Sequence, residues 1–340
     1  MIKTDVQQAL QHKIDTKTKP LGALGKLETL AFKIGSIQNT ETPTIAKPAI
    51  IVFAGDHGIA SKGEVNPFPQ EVTAQMVYNF VNGGAAINVF SKTNDIELKV
   101  VDAGVNHEFG ADLNIINAKI ALGTKNYQEE PAMTSTQCTD AMRKAGDIVE
   151  NLHKNGCNTV GFGEMGISNT SSAALLMSYF TKIPIEDCVG SGTGLDSEGI
   201  SKKGKILSEV YEKHQPKSAE EALATFGGFE IAMLCGAILK AYELNMVIVI
   251  DGFIVTSALL AAQAINPKVL ESCVFAHSSN EQGHKNMLEF LNADPLLALG
   301  LRLGEGTGAA LAIPLLRASV DFLNNMASFE SAGVSGESEN

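Results

Sequence analysis

Tryptophan is absent from this 340-residue chain, and its cysteines, Cys138, Cys157, Cys188, Cys235 and Cys273, are odd in number, scattered and nowhere at metal-ligand spacing. That excludes a disulfide scaffold and a cysteine-built zinc site, and it predicts a reducing, cytoplasmic compartment. Long apolar runs are also missing. The most apolar helix candidate, residues 229–242, is too short to span a bilayer and carries Glu230 and Lys240, and residues 1–8 lack the apolar core of a leader. No membrane partner is expected. Basic charge is scarce: 26 Lys and Arg stand against 38 Asp and Glu, for a net charge of -12. A broad nucleic-acid surface needs clustered cations to displace phosphate counterions, so nucleic acid is excluded as a partner. The Walker A loop, the G-x-S-x-G nucleophile elbow and H-E-x-x-H are absent as well, which removes the commonest nucleotidase, serine hydrolase and zincin readings.

What is present is 44% hydrophobic residues and 32 glycines, the composition of a globular α/β protein rich in tight turns. Residues 1–45 read as helical and polar, with Leu24, Leu27, Leu30, Ala31 and Ile34 at helical spacing. They are expected to form the N-terminal part of a smaller helical domain. From residue 48 short apolar runs alternate with amphipathic stretches, the signature of parallel β-α units. Strands are predicted at 49–54, 98–102, 159–162, 246–250, 273–276 and 300–303. Helices are predicted at 70–80, 85–91, 136–155, 169–180, 200–214, 229–242, 254–264, 281–291 and 307–325. Six strands with helices between them predict a three-layer α/β/α domain over residues 46–327, with a mainly parallel, open, Rossmann-like sheet rather than an eight-unit barrel. Residues 328–340 read as a mobile polar tail.

Reactive residues recur where these strands end: Gly55-Asp56-His57-Gly58, Asp102-Ala103-Gly104, Gly163-Glu164-Met165-Gly166, Asp251-Gly252, His277-Ser278-Ser279 and Gly304-Glu305-Gly306. All are expected at the carboxyl edge of one sheet, where open parallel sheets bind ligands. Glu305 stands between glycines and reads as a general base, although an isolated Gly-Glu-Gly reads equally well as an acidic first helical turn. The run from Gly161 to Gly166 is formally G-x-G-x-x-G, but Glu164 would put a carboxylate beside a pyrophosphate. A better reading is a helix opening at Ile167-Ser168-Asn169-Thr170 whose free N–H groups hold one phosphate. Gly190-Ser191-Gly192-Thr193-Gly194 is a second cradle candidate with Lys203 as its cation, and a plain flexible loop explains those glycines about as well. Asp56 and His57 carry the rival reading, a metal-dependent phosphohydrolase, against a hydrogen-bonded pair that only shapes its loop.

Six ordered motifs then converge. They are the run from Lys19 to Glu28 (KPLGALGKLE), Ala54-Gly55-Asp56-His57-Gly58, Glu71-Val72-Thr73-Ala74-Gln75-Met76, the run from Gly163 to Thr170 (GEMGISNT), Asp251-Gly252-Phe253, and the run from Arg302 to Ala309 (RLGEGTGA). Through them the chain resembles the nicotinate-nucleotide:dimethylbenzimidazole phosphoribosyltransferase family over nearly its whole length. The resemblance implies an α/β/α domain with a smaller helical domain, a homodimer, and transfer of phosphoribose from nicotinate mononucleotide to 5,6-dimethylbenzimidazole for the nucleotide loop of cobalamin. It implies Glu305 as catalytic base and Glu164 as a second active-site carboxylate. Gly166, Ser168, Asn169, Thr170, Gly192, Thr193, Gly194, Lys203 and Asp251 match the phosphoribosyl site, with Lys202 the alternative to Lys203. The aromatic base falls against Phe68, Met76, Leu303 and Gly304.

The chemistry implied needs neither a metal nor a redox cofactor. In the donor the pyridine nitrogen is already cationic, so nicotinate departs without an acid. The attacking benzimidazole becomes cationic, so a base is needed to take its distal proton. Where some members carry Ser and Gln along the base pocket, this sequence has Phe68 and Met76. That change replaces hydrogen-bonding edges with apolar contact and leaves dimethylbenzimidazole, other benzimidazoles, phenolic compounds and purines as acceptors.

Overall fold

The structure is a computed structural model that describes residues 3–192 and 194–335. Its six-stranded sheet contains β1 (Ala49–Gly55), β2 (Glu97–Gly104), β3 (Ile116–Asn117), β4 (Thr159–Met165), β5 (Val247–Ile250) and β6 (Cys273–Phe275), in the spatial order β3-β2-β1-β4-β5-β6. Every pairing is parallel. The helices of the first half are α1 (Lys3–Asp15), α2 (Lys26–Gln38), α3 (Val72–Val81), α4 (Ala86–Thr93), α5 (Ser135–Lys154), α6 (Asn169–Thr181) and α7 (Ile185–Cys188). Those of the second half are α8 (Ser197–Lys213), α9 (Ala219–Phe226), α10 (Phe229–Glu243), α11 (Phe253–Ile265), α12 (His284–Phe290), α13 (Thr307–Asn325) and α14 (Phe329–Ala332).

Strand β1 is buried along its whole length, so its two sets of side chains feed two cores. Ala49, Ile51 and Phe53 join Val160, Phe162, Ile248 and Ile250 under α5, α6, α10 and α11. Ile50, Val52 and Ala54 join Val247, Val249 and Val274 under α2, α3, α4 and α13. This is the three-layer α/β arrangement read from the sequence. A third cluster, Val6, Leu10 and Ile14 with Ala31 and Leu323, fastens α1 to α2 and α13. Of the tail expected to be mobile, residues 328–335 begin with α14, which Ser328 caps and an antiparallel bridge ties to Lys17; residues 336–340 lie outside the described residues. Among the described residues, no helix is long and apolar enough to cross a membrane.

One predicted strand is corrected. Residues 300–303 join no strand among the described residues. Gly300 turns the chain left-handed at φ +70, and the preceding segment runs beside the exit of β6, with Ser278 N–H on Leu297 O and Asn280 N–H on Leu301 O, both at 2.8 Å. Alternating leucines imitate a strand there, but they line a loop that covers the sheet edge. The strand the sequence does not announce is β3, whose two residues are too short for any periodicity.

Gly163 on β4 marks the closest approach between the sheet and this loop: a Cβ there would fall on the Glu305 carbonyl and lie 2.6 Å from the Gly306 nitrogen. Gly163→Ala is therefore expected to destabilise by about 1–3 kcal/mol and to lower the thermal midpoint by roughly 2–4 °C. Gly204, inside α8, has nothing within 4 Å of its Cβ position. Gly204→Ala is expected to stabilise by about 0.5–1 kcal/mol, because glycine is the poorer helix former. Parallel thermal melts check both, and equal midpoints for the two variants would refute the packing argument.

Candidate active site

The strand order reverses between β1 and β4, so the chain leaves these neighbours toward opposite edges and opens a crevice beyond their carboxyl ends. Asp56 and His57 follow β1, Glu164 lies near the end of β4, Asp251 follows β5 and His277 lies just beyond β6. Glu305 does not follow a strand, contrary to the sequence reading. It sits in the loop before α13, which a different interaction carries to the crevice.

That interaction is the Asp251 carboxylate. Its Oδ2 accepts the Gly306 N–H at 3.2 Å and its Oδ1 accepts the Ala309 N–H at 2.9 Å. Two otherwise orphaned donors of the first turn of α13 are thereby satisfied. The loop arrives through three left-handed residues, Gly304 at φ +85, Glu305 at +63 and Gly306 at +85. For a glutamate that conformation is strained and has to be held by its surroundings. The Thr307 hydroxyl adds a bond to Gly304 O at 2.8 Å.

So mounted, Glu305 is 6% exposed. The backbone N–H of Ile87 supports its carboxylate, and Oε2 has no partner among the described residues. Burial raises its pKa above the ordinary carboxylate value, and the Ile87 bond only partly opposes this. Glu164 lies in contact with the same loop, since a Cβ at Gly304 would fall on its Oε1. Asn169, at the start of α6, donates to Glu164 Oε2. Burial, with the charges of Glu230, Asp251 and Glu305 added, pushes Glu164 up to about 8 against that bond. Asp251 is pushed up to about 7 by burial and by Glu305, despite its backbone donors. Burial and the neighbouring charges thus favour the neutral acid at Glu164.

A second group of the predicted residues meets around the start of α6. Ser168 takes φ +76, with its hydroxyl buried and unpartnered among the described residues, and the Ile167 N–H is taken by Thr73 Oγ1 at 3.1 Å. Gly166 packs so tightly against Gly55 O that a Cβ would lie 2.5 Å from it. Thr170 Oγ1 accepts from Lys203 Nζ at 2.8 Å. Lys203 is 1% exposed, and burial lowers its pKa to about 8 although Glu281 opposes the shift. Lys202 points elsewhere: it is exposed, with Nζ 3.7 Å from Glu64. Gly192 adjoins Thr170. Thr193 lies outside the described residues, and Gly194 is exposed at φ +124.

Other predicted positions are less tightly gathered. Met76 is half-buried and packs on the cluster that contains Ile87, the residue beneath the Glu305 carboxylate. Phe68 and Leu303 are exposed, at 46% and 57%. Asp56 accepts the Asn106 N–H at 2.8 Å. His57 is fully buried with both ring nitrogens engaged, Nε2 by Glu230 at 2.5 Å and Nδ1 by Ser172 at 3.0 Å. With both His57 nitrogens so engaged, the phosphohydrolase built on Asp56 and His57 finds no support. The sequence reading missed Glu230; its signal is an acid in the first turn of α10 followed by a long apolar run.

A family model described as phosphoribosyltransferase matches residues 1–334. The nicotinate-nucleotide--dimethylbenzimidazole phosphoribosyltransferase of Dechloromonas aromatica is 55% identical over 334 residues, covering 97% of this chain and 96% of that protein. The enzyme of the same name from Aromatoleum aromaticum is 54% identical over 327 residues, 96% of this chain and 95% of that protein. The crystal structure of CobT from Thermus thermophilus superposes with a TM-score of 0.94 at 38% identity, covering 97% of this chain and 99% of that one. A match running end to end, on a sheet whose switch point gathers these carboxylates, leaves one conclusion: this chain belongs to the phosphoribosyltransferase family.

Proposed function

We propose that the chain transfers 5-phosphoribose from nicotinate mononucleotide to 5,6-dimethylbenzimidazole or a related aromatic base, for assembly of the cobalamin nucleotide loop. Nicotinate is released, and attack opposite the leaving ring inverts C1 to give α-ribazole 5'-phosphate. The observation that carries this reading is the Glu305 carboxylate: buried, lifted in pKa, and with Oε2 unpartnered among the described residues at the switch-point crevice.

The reaction needs a proton acceptor and no acid, because the pyridinium leaves as a neutral ring. Glu305 takes the distal N–H of the acceptor as positive charge develops on that ring. Its raised pKa, set by burial, brings it toward the effective range of a general base. Glu164 has a different part. Its burial favours the neutral acid; a cationic donor ring favours the carboxylate, which then offsets the charge at C1. Donor phosphate is held at the start of α6 by the Thr170 hydroxyl and the Lys203 ammonium, which meet there. Asp251 acts through the Glu305 loop, since both its oxygens are on that backbone.

The same reading makes the enzyme a cytoplasmic homodimer, with residues 1–45 in a small helical domain, 46–327 as the catalytic domain and 328–340 as a tail. Five buried free cysteines support a reducing compartment.

Incubation with nicotinate mononucleotide and dimethylbenzimidazole is expected to release nicotinate, and absence of turnover with any of a panel of aromatic bases would refute the assignment. Glu305→Gln, which has the same shape but cannot take the proton, is expected to lower kcat by at least about tenfold with little change in donor KM. A loss confined to KM would remove Glu305 as the base. For Glu164 the expected effect is on stability. Below its ordinary pKa the carboxyl is protonated in both folded and unfolded chains; between that value and about 8 only the unfolded chain ionises, so this group's contribution falls as pH rises. Thermal melts of Glu164→Gln should therefore gain on the native protein as pH rises toward 8, then run parallel, whereas a constant difference would contradict the buried, neutral state.

A further inference from the structure

The basic side of the crevice holds an acid that the strand-end motifs and the reaction leave unused. Glu281, beyond β6, is 9% exposed, and its Oε1 accepts the Gly192 N–H at 3.1 Å. Gly190 closes on the same carboxylate: a Cβ there would fall on Oε1 and lie 3.0 Å from Cδ. The segment is anchored from behind, where Ser279 Oγ accepts the Glu281 N–H at 3.3 Å and Gly283 is wedged against Met177 and Phe253. Arg302 Nη1 reaches Gly192 O at 3.4 Å. Lys203 stands across the loop with its ammonium on the neutral Thr170 hydroxyl.

A buried ammonium and an inward-facing N–H favour an anion between them. In the empty chain Glu281 supplies it. A phosphate held by Lys203 and the Gly192 N–H would need the donor that Glu281 occupies, and two anions on one donor repel at close range in a poorly solvated site. We propose that Glu281 is the placeholder anion of the phosphate cradle: it holds the Gly192 N–H and balances Lys203 while the site is empty, and it gives up that position to the phosphate of the donor. Donor binding is then an exchange of one anion for another, and the carboxylate weakens donor affinity while keeping the glycine loop formed between turnovers. This rests on the phosphate reading given above.

Calorimetric titration of the full chain with inorganic phosphate, and separately with nicotinate mononucleotide, tests it. Glu281→Gln keeps an oxygen for the Gly192 N–H but removes the charge, so both Kd values are expected to fall by roughly tenfold, in line with the extra strength of charge-assisted hydrogen bonds. Unchanged or weaker binding overturns the proposal. Glu281→Ala removes charge and acceptor together and should also tighten phosphate. If it fails to fold, the glutamine variant still decides. A structure of the native chain with phosphate bound gives an independent check: Glu281 is expected off the Gly192 N–H, and its retention there would overturn the exchange. Native protein that binds phosphate with no gain in Glu281→Gln refutes only the role of Glu281. Native protein that binds nicotinate mononucleotide with its phosphate elsewhere refutes the cradle itself, and the proposal with it.

Discussion

The pair of hydrogen bonds from Gly306 and Ala309 to the Asp251 carboxylate is the constraint on which the rest of the site depends. It joins the end of a central strand to the first turn of α13 and so fixes where the loop before that helix can go. A run of three left-handed residues with a glutamate in the middle does not hold itself. It persists because the helix start is tied on one side and because Gly163 offers no Cβ on the other. Lengthening or loosening either contact would move the Glu305 carboxylate, and a shift of about 1 Å at a reacting group is enough to cost two orders of magnitude in rate.

Packing carboxylates into this crevice opposes stability, and the pattern of pKa shifts shows how the chain tolerates it. Burial alone favours the neutral acid, and each neighbouring charge adds to that preference, so Glu164 and Asp251 are driven upward together. Glu230 is hydrogen-bonded to His57 Nε2. A crevice lined this way favours a cationic ligand. A pyridinium donor and an acceptor that becomes cationic during attack both bring that charge, so binding and reaction draw on an imbalance already present in the fold.

Much of this was legible in the sequence, for identifiable reasons. Strands β1, β4 and β5 are covered on both faces, and such strands read as continuous apolar runs ending in polar, glycine-rich turns. The sequence left Lys202 and Lys203 as alternatives; in the structure Lys203 lies with Leu207 and Val210 on the buried face of α8. What misled was residues 300–303, where alternating leucines copy a strand's period while Gly300 breaks its geometry. What stayed hidden were Glu230 and Glu281, because they reach the crevice from a helix start and a loop outside the glycine turns. Their significance is tertiary: one meets a histidine from the end of β1, the other a glycine loop from a distant stretch of chain.

The wall proposed for the acceptor follows different physics from the side that carries Glu305. Hydrogen-bonding edges reject analogues that leave them unpaired by several orders of magnitude, whereas apolar contact distinguishes one methylene by only about 1–3 kcal/mol. Met76 is adaptable in shape, and Phe68 and Leu303 stand exposed rather than packed into a rigid wall. Selection must then fall on the group that Glu305 needs, an acidic proton that becomes more acidic as the bond to C1 forms. A benzimidazole offers it on the nitrogen opposite the attacking one; a phenol offers it on the attacking oxygen itself. On the proposed reading, the carboxylate on its strained turn both accepts the proton and selects the acceptors that can give one.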